Sequence, residues 1–357
     1  MRTRYACRRL VLPPAESNLD GYADALLSDL SAHPTDAVLP SVDASLEALH
    51  RRRADFERVT APAIGDPDAV ALASSKKRTL DLAASLGIRT PRSVLVESHA
   101  DVAAAAVELG LPAVLKPVAS WRDLPGGGGV RLGPRLVEAE GEMLNGPALL
   151  QEVIPGSRET VKLFRVNGRT LATLVIECSR TWPPLGGSSV MRMTIAAPLD
   201  IAKQAEQLVA AIGLEGYSEV EFRRDRNGAP VLMEVNARLS QSIEVSIRAG
   251  MDFARMQLEW ARGGKVEPVS RYAVGVRVGW LAGDARLLAA ATLGVGPPPR
   301  PEARALTRAI IRDYVVRRAT VEGFALDDLR PVGSALAFSA RGAFRRRGAL
   351  RPSASRG

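Results

Sequence analysis

The sequence predicts an α+β fold in which short strands and helices of mixed order form lobes around a cleft. Two Asn-Gly pairs, at 167–168 and 227–228, each lie between runs of alternating polar and apolar residues. This pattern is the strongest short-range signal for a β-hairpin. Between the hairpins, residues 200–213 repeat apolar side chains with the period of an amphipathic helix. Hairpins in the middle of the chain, with helices around them, predict the α+β class.

The first third of the chain predicts helices that alternate with short strands. A helix over 74–87 has a serine cap at its start and Gly87 at its end. Another begins at the Ser98 cap, with Asp101 at its third position, and ends at Gly110. The other elements predicted here are helices over 20–31 and 43–58, and strands over 36–43, 93–96 and 112–118.

The remaining chain predicts strands, two hairpins and further helices. Asp200 is the expected cap of the helix over 200–213, and strict alternation over 272–280 predicts a strand. The other predicted elements are a strand over 148–156, hairpins over 160–177 and 217–236, and helices over 240–262 and 303–318.

Length and composition describe a globular chain with room for two or three subdomains. Of its 357 residues, 46% are hydrophobic and 24% charged, whereas only 4% are aromatic. Stacking on exposed bases is therefore disfavoured. Cys7 and Cys178 lie far apart with no histidine nearby, which argues against a zinc site or a disulfide framework. No apolar run is long enough for a signal peptide or a membrane span, so the cytoplasm is the expected compartment.

The net charge of +9 belongs mainly to the end of the chain. Residues 331–357 contain six arginines and no acid, so only +3 remains for residues 1–330. We expect a disordered basic tail there; contact with a membrane surface or with nucleic acid is the alternative. Nucleic acid is not expected as the main partner. The three histidines lie away from the motifs below, so imidazole chemistry is not expected.

The hairpin over 217–236 carries the clearest chemical signal. A two-residue turn at Asn227-Gly228 would place Glu221 opposite Glu234 and Glu219 opposite Asn236, all four on one face. Like charges placed that way destabilise a sheet. Two carboxylates and an amide suit Mg²⁺, which prefers oxygen ligands. An ordinary hairpin with a solvated acidic face is the alternative. The other face is predicted to bury Val220, Phe222, Met233 and Val235.

A lysine and a glycine run precede this hairpin. Lys116 lies within an apolar strand, so it is expected to project into a cleft and meet an anion, or to lie on a wet face of the sheet. The glycines at 126–129 could bring backbone N–H groups close to phosphate oxygens, or could form a linker. They match neither a Walker A motif nor a Rossmann fingerprint.

Three further segments offer binding groups. The strand end at 151–154 could present backbone groups to an adenine, and Glu159 could accept hydrogen bonds from ribose. Residues 186–189 resemble an anion-binding turn flanked by Arg180 and Arg192. Arg238, two residues after Asn236, could stabilise a transferring phosphoryl group.

The order of these parts resembles the ATP-grasp superfamily, which includes biotin carboxylase, carbamoyl phosphate synthetase and D-alanine–D-alanine ligase. A helix lysine, a strand lysine, a glycine-rich loop, a QE-x-x-x-G hinge and a hairpin ending in MEVNAR follow one another from about residue 74 to 264. The E…E-x-N-x-R pattern and Lys116 are the most specific parts. The resemblance implies an ATP-grasp fold preceded by a small α/β domain, either complete or truncated.

The resemblance also implies a role for each site residue. Lys76, eleven residues before Gly87, would contact phosphate, and Lys116 would bind the α- and β-phosphates. Arg238 would stabilise the acyl phosphate or the γ-phosphate, and Glu219 would be an acidic neighbour rather than a ligand. The implied ligands of one or two Mg²⁺ ions, or of Mn²⁺, are Glu221, Glu234 and Asn236. The remaining nucleotide-binding residues implied are Gly127, Gly128, Gln151, Glu152, Val153, Ile154 and, for ribose, Glu159.

The expected domains follow from the same comparison of motifs. Residues 1–73 would be a partial α/β domain and 74–264 the ATP-grasp domain, with a small lobe over about 112–152 and a large lobe over about 153–264. Residues 265–330 would be an α+β extension. After the N-x-R motif, Ser240, Gln241 and Ser242 stand where biotin carboxylase has a glutamate, which argues against a biotin-dependent carboxylase.

The predicted function is that of an ATP- and Mg²⁺-dependent ligase. A small carboxylate would become an acyl phosphate, and an amine would displace phosphate, with ADP as the other product. The carboxylate is expected near Arg180, Arg192, Ser188 and Ser189. A carboxylate–thiol ligase, a regulatory or scaffold protein that binds ATP without turnover, and an adaptor acting through the basic tail are the alternatives. A homodimer is possible.

Overall fold

The structure is a computed structural model that describes residues 3–118, 121–123, 129–131, 134–137, 146–184, 186–294 and 300–334. Two mainly antiparallel sheets, one of four strands and one of seven, form its centre. A small α/β unit precedes them in the chain, and further helices follow them. Within these ranges no helix is both long enough and apolar enough to cross a membrane.

The amino-terminal unit consists of three helices and two short parallel strands. Its elements are α1 (Leu19–Ala32), β1 (Ala37–Val38), α2 (Asp43–Arg51), α3 (Arg53–Glu57) and β2 (Ala61–Pro62). β1 and β2 pair in parallel, and the helices between them form the crossover that parallel pairing requires. Leu26 and Phe56 of this unit are buried in one cluster with Leu208 and Phe222 of the large lobe described below. The hydrophobic core therefore crosses the predicted boundary after residue 73.

The small lobe is built on the four-stranded sheet. Its elements, with the two helices that lead into it, are α4 (Pro67–Ser74), α5 (Lys76–Ser85), β3 (Ser93–Val96), α6 (His99–Leu109), β4 (Ala113–Pro117), β5 (Trp121–Asp123), β6 (Gly129–Arg131), β7 (Arg135–Val137) and β8 (Ala148–Glu152). The sheet order is β3-β8-β4-β7. Ser98 and Asp101 form the capping box of α6, which confirms the predicted start of that helix. Since β3 pairs with β8, this lobe includes residues before 112.

The large lobe is built on the seven-stranded sheet. Its elements are β9 (Arg158–Val166), β10 (Arg169–Trp182), β11 (Ser188–Ile195), α7 (Leu199–Ile212), β12 (Gly216–Arg224), β13 (Pro230–Asn236), α8 (Ile243–Arg248), α9 (Phe253–Ala261), β14 (Arg277–Gly279), α10 (Leu281–Leu293), α11 (Ala303–Ile311) and β15 (Thr320–Val321). The order is β13-β12-β9-β10-β11-β14-β15. Two of these strands lie in the predicted extension after residue 264, so that extension completes the sheet.

The first hairpin has the predicted two-residue turn. Asn167 and Gly168 both have positive φ, as a type I′ turn requires, and Val166 pairs with Arg169. The carboxylate of Glu215 accepts the N–H groups of Asn167 and Gly168 at 2.7 and 3.0 Å. This prediction is confirmed.

The second hairpin has the predicted register but a different turn. Asp225 N–H donates to the carbonyl of Ala229, so three residues rather than two form the loop. A bulge next to Glu221 then shifts the pairing by one, and Phe222 faces Leu232. The two irregularities cancel, so that Glu221 still faces Glu234.

The bulge moves one side chain away from its predicted position. Leu232, not Met233, joins Val220, Phe222 and Val235 in the core. Met233 instead lines the cavity described below. Its predicted place on the core face is therefore wrong.

Glycines divide two elements that the sequence predicts as continuous. The predicted helix over 240–262 is two helices, α8 and α9, because Gly250 has a φ of +90° and Asp252 caps a new start. The predicted strand over 272–280 is reduced to β14, because Gly275 has a φ of +88°.

Two predicted helices differ at an end. Pro198, not Asp200, is the cap of α7, and the carboxylate of Asp200 accepts hydrogen bonds from Arg224. The predicted helix over 303–318 is α11 followed by a π-helical turn over Arg312–Val316.

Candidate functional site

A cavity of about 410 Å³ lies between the two lobes. Lys116 of β4 and residues 151–154 line it from the small lobe and from the hinge segment after β8. Residues 186–189 and 240–242 line it on the side of the large lobe, beside the face of the large sheet. The cavity therefore brings together segments that are more than 100 residues apart in the sequence.

The predicted acidic residues lie side by side on the cavity face of the sheet. Glu221 is directly opposite Glu234, and Glu219 is directly opposite Asn236. Opposed side chains have Cβ atoms ~5 Å apart. The amide nitrogen of Asn236 is 3.5 Å from a Glu234 oxygen. All four residues line the cavity, so the predicted oxygen cluster forms.

The acidic pair carries negative charge that favours a cation. Burial, together with the charges of Glu234 and Glu219, raises the pKa of Glu221 to about 7, against the opposing effect of Arg158 and Lys116. No group of three His, Cys, Asp or Glu side chains suited to a metal occurs in the described part of the chain. The third donor here is the Asn236 amide oxygen. Two carboxylates and an amide fit Mg²⁺, which needs few protein ligands.

Glu219 lines the cavity but is already paired with a buried lysine. Lys162 is fully buried, and its ammonium group lies 3.0 Å from Glu219. Lys162 also donates to the hydroxyls of Ser240 and Ser242 at 2.8 and 2.6 Å. Burial alone would raise the pKa of Glu219, but Lys162 and Ser240 lower it to about 2. Its pairing supports the expectation that Glu219 is not a metal ligand.

Three predicted cationic side chains reach the cavity. Lys116 projects from β4, and burial together with the charge of Lys76 lowers its pKa, while Glu234 acts in the opposite direction. Lys76 is the first residue of α5 and also lines the cavity. Arg238 lies next to Asn236 and donates to Asp43 of α2 at 2.6 Å. The amino-terminal unit thus fixes one charged group of the site.

The hinge segment lines the opposite end of the cavity. Val153 and Ile154 contact it directly. The side chain of Gln151 donates to Ser93 at 2.9 Å. The carboxylate of Glu152 accepts hydrogen bonds from the backbone and side chain of Arg92 at 2.9 and 3.2 Å, so it is already paired.

Comparison with known proteins identifies this arrangement. The family model "ATP-grasp in the biosynthetic pathway with Ter operon" matches residues 145–283. The D-alanine–D-alanine ligase of Pseudomonas putida (strain GB-1) is 30% identical over 206 residues, which cover 53% of this chain and 64% of that enzyme. The D-alanine–D-alanine ligase of Nitrosospira multiformis is 27% identical over 271 residues, which cover 65% of this chain and 83% of that enzyme.

Solved structures share the fold. Biotin carboxylase from Campylobacter jejuni superposes with a TM-score of 0.58 at 19% identity, over 72% of this chain and 62% of that chain. L-amino acid ligase from Bacillus licheniformis gives a TM-score of 0.53 at 19% identity, over 72% of this chain and 65% of that chain. The chain therefore has an ATP-grasp fold, and its residues 145–283 match an ATP-grasp family model. It spans 64% of the length of the Pseudomonas putida relative.

Three predicted residues of the ATP-grasp site do not reach the cavity. Glu159 lies on the other face of the sheet, where Arg224 donates to it at 2.6 Å. Arg180 is held by Asp284 and Asp313 at 2.7 and 2.5 Å. Arg192 is 2% exposed and pairs with Glu322 at 2.9 Å. Their predicted roles in ribose and carboxylate binding are therefore corrected, because each side chain is already paired.

The predicted serine turn reaches the cavity. Ser188 and Ser189 line the cavity as expected, and the Ser188 hydroxyl donates to the side chain of Gln241 at 2.8 Å. Gly127 and Gly128 lie outside the described residues.

Sequence reasoning missed two arginines and a methionine in the ATP-grasp cavity. Arg158, Arg223 and Met233 all line it. Arg158 shares its strand face with Thr160 and Lys162, whereas Glu159 faces the opposite way. Alternation along β9 could have revealed Arg158. No local signal marks the bulge that exposes Met233.

Proposed function

We propose that this ATP-grasp protein is a ligase that uses ATP and Mg²⁺ to join a small carboxylic acid to an amine. The γ-phosphoryl group passes to a carboxylate oxygen, which gives an acyl phosphate and ADP. The amine nitrogen then attacks the acyl carbon and loses a proton, and inorganic phosphate leaves. The observation that carries the proposal is that Glu221, Glu234 and Asn236 share one cavity with Lys116 and Arg238.

The nucleotide would lie along the cavity from the hinge to the acidic pair. Backbone groups at Val153 and Ile154 would hold the base, and Lys76 and Lys116 would bind phosphate oxygens. Glu221, Glu234 and Asn236 would hold one or two Mg²⁺ ions, or Mn²⁺. When bound, Mg²⁺ supplies positive charge that neutralises the phosphates.

Arg238 is the residue proposed to meet the reacting groups. Its guanidinium is half-buried beside Asn236 and is oriented by Asp43. From there it would stabilise the negative charge of the phosphoryl group and of the acyl phosphate. Positioning and charge neutralisation are the main demands of this reaction, so a site without histidine suffices.

The relatives support this chemistry over carboxylation with biotin. The two D-alanine–D-alanine ligases, which are similar in sequence, carry ligase names. Ser240, Gln241 and Ser242 stand after the N-x-R motif, in place of the glutamate expected of a biotin carboxylase. Small-molecule acids and amines are therefore the proposed substrates. A cytoplasmic location and a homodimer stay predictions.

A screen for substrate-dependent ADP release tests the proposal. The purified chain is supplied with ATP, Mg²⁺ and pairs drawn from amino acids, small carboxylic acids, amines and thiols. We expect ADP and phosphate to appear only with an acid and an amine together. Formation of AMP would contradict the acyl-phosphate route, and a requirement for a thiol would favour the thiol-ligase alternative.

Substitution of one acidic residue checks that this site performs the reaction. Glu234→Gln is expected to reduce ADP formation by roughly 100-fold or more, because one proposed metal ligand is lost. Glu206→Gln is the matched control, since Glu206 is exposed on α7 and bonds only Thr170 within the described ranges. Unchanged turnover in Glu234→Gln would show that the assigned site is wrong. ATP binding without turnover for any pair would favour a regulatory role.

A further inference from the structure

Two arginines occupy the sheet between the hinge and the acidic pair. Arg158 is directly opposite Arg223 across β9 and β12, and both line the cavity. Both are nearly buried, at 8% and 9% exposure. Glu221 lies two residues from Arg223 on the same face, a step of about 7 Å along the strand. The arginine pair is therefore one step closer to the hinge than the acidic pair.

Neither arginine has a close carboxylate of its own. Within the described ranges Arg223 makes no ion pair and donates only to the carbonyl of Gly156, at 3.0 Å. Arg158 donates to the carbonyl of Gly187 at 2.8 Å and lies 3.5 Å from Glu221, and its Nε has no partner there. In contrast, four other shielded arginines of the large lobe have an acid within 2.9 Å: Arg180, Arg192, Arg224 and Arg238.

The positive charge of this arginine pair favours the binding of an anion. In the proposed function Glu221 is a ligand of Mg²⁺, so most of its negative charge is balanced by the metal rather than by Arg158. Two opposed guanidinium groups, both shielded from water, are then left without a carboxylate, and unpaired buried charge is costly. Arg165 shows that carbonyl bonds can suffice for a single buried arginine, since it donates to Gly168 and makes no ion pair among the described residues. It does not line the cavity and has no arginine opposite it.

We propose that Arg158 and Arg223 form an oxyanion subsite that binds the phosphate chain of the nucleotide. This inference rests on the proposed function for the position of the base at the hinge. A nucleotide that runs from Val153 and Ile154 to the acidic pair passes over the arginine row, so its phosphate nearest the ribose meets the two guanidinium groups. The same oxyanion chemistry could come from the carboxylate of the acid substrate, and the experiment separates the two sources.

Calorimetric titration of the full chain with ADP and with adenosine, both in Mg²⁺, tests the subsite. In Arg158→Gln and in Arg223→Gln we expect the Kd of ADP to rise roughly 10- to 100-fold, the effect of losing hydrogen bonds to a charged group. The Kd of adenosine should stay unchanged, because adenosine has no phosphate. Arg165→Gln is the matched control and should leave both constants unchanged.

Each contrary result would overturn a different part of the proposal. An unchanged Kd of ADP in both variants overturns the subsite, and so does an equal loss for adenosine, which would indicate a structural role. If only the KM of the acid rises, the anion is the substrate carboxylate and the nucleotide assignment is wrong. Melting temperatures establish that the variants fold, and Arg158→Lys, which keeps the charge, should recover part of the ADP affinity. If ADP binds more tightly than adenosine but no ligation occurs, the proposed function is contradicted and the subsite is still supported.

Discussion

At the scale of single residues, Lys162 shows how the site controls its own charge. The side chain is fully buried and bonds Glu219, Ser240 and Ser242. It pairs with one acid of the sheet face and contacts the segment after Arg238. The three N–H donors of its ammonium group are matched by these three oxygen acceptors.

Removal of Lys162 should expose the cost of an unpaired buried carboxylate. We expect Lys162→Met to lower the free energy of unfolding by about 3–5 kcal/mol, because Glu219 loses its cation. The double variant Lys162→Met with Glu219→Gln should be less destabilised, since no buried charge remains. Urea unfolding at pH 7 measures both. Equal stability of the single and double variants would contradict this account.

The face of the sheet on which a side chain lies could be predicted from the sequence, whereas its ion-pair partner could not. Alternation along the strands correctly placed Glu221, Glu234 and Asn236 on one face. The partner of Arg192, Glu322, lies 130 residues away, and nothing local to Arg192 indicates it. An arginine beside a glycine turn therefore looked available for a substrate, although the fold had already paired it.

At the scale of elements, the side chain of Asp225 stabilises the loop of the second hairpin. The carboxylate accepts the N–H groups of Asn227 and Ala229 at 2.8 and 2.9 Å and pairs with Arg89 at 2.6 Å. The side chain thus closes the three-residue loop and ties it to the segment before β3. An Asn-Gly pair suits this loop as well as the two-residue turn, because Gly228 supplies a positive φ in either case.

The Asp225 contacts predict acid-sensitive stability. The hydrogen bond from Arg89 and those from backbone N–H groups lower the pKa of Asp225 below its usual value of 3.8. A lowered pKa in the folded state means that the contribution is complete above pH 3.8 and is lost as the pH falls further. Asp225→Ala should therefore be less stable than wild type at pH 7, and the difference should shrink by pH 3. A difference that is constant between these two pH values in urea unfolding would refute it.

At the scale of the whole molecule, buried ion pairs attach the last helices to the large sheet. Arg180 of β10 lies between Asp284 of α10 and Asp313, and the hydroxyl of Tyr314 donates to Asp284 at 3.0 Å. These carboxylates are 4% and 6% exposed in their side chains. The carboxyl-terminal helices are therefore held by charge as well as by apolar contacts.

Loss of Arg180 should loosen those helices without changing the nucleotide site. Arg180→Met leaves the buried Asp284 without a cation and leaves Asp313 with only the longer contact to Arg317, at 3.4 Å, so we expect about 3–5 kcal/mol of destabilisation. Hydrogen exchange should show lost protection over residues 281–293, while the Kd of ADP stays unchanged. Arg169→Met, at an exposed position on the same strand, is the control and should change stability by less than about 0.5 kcal/mol. Weakened ADP binding would instead connect Arg180 to the cavity.

Domain organisation was the hardest level to predict from the chain. The order of the motifs predicted two lobes. The boundaries at 73 and 264 were placed only where the first motif begins and the last one ends. Core packing crosses the first boundary, and β14 and β15 cross the second. Neither event has a local sequence signature, because both depend on which apolar faces meet after the chain has collapsed.

The separate packing of the small lobe bears on how a ligand enters. Its helix α6 and its sheet bury their own set of side chains, including Val102, Leu115 and Leu150, apart from the core that joins the amino-terminal unit to the large sheet. Leu149 of β8 is buried in that second core instead, so the two cores meet at this strand. A swing of the small lobe about the segment after Glu152 would have to free Leu149, whereas the ion pair between Asp43 and Arg238 lies outside this lobe and would stay intact.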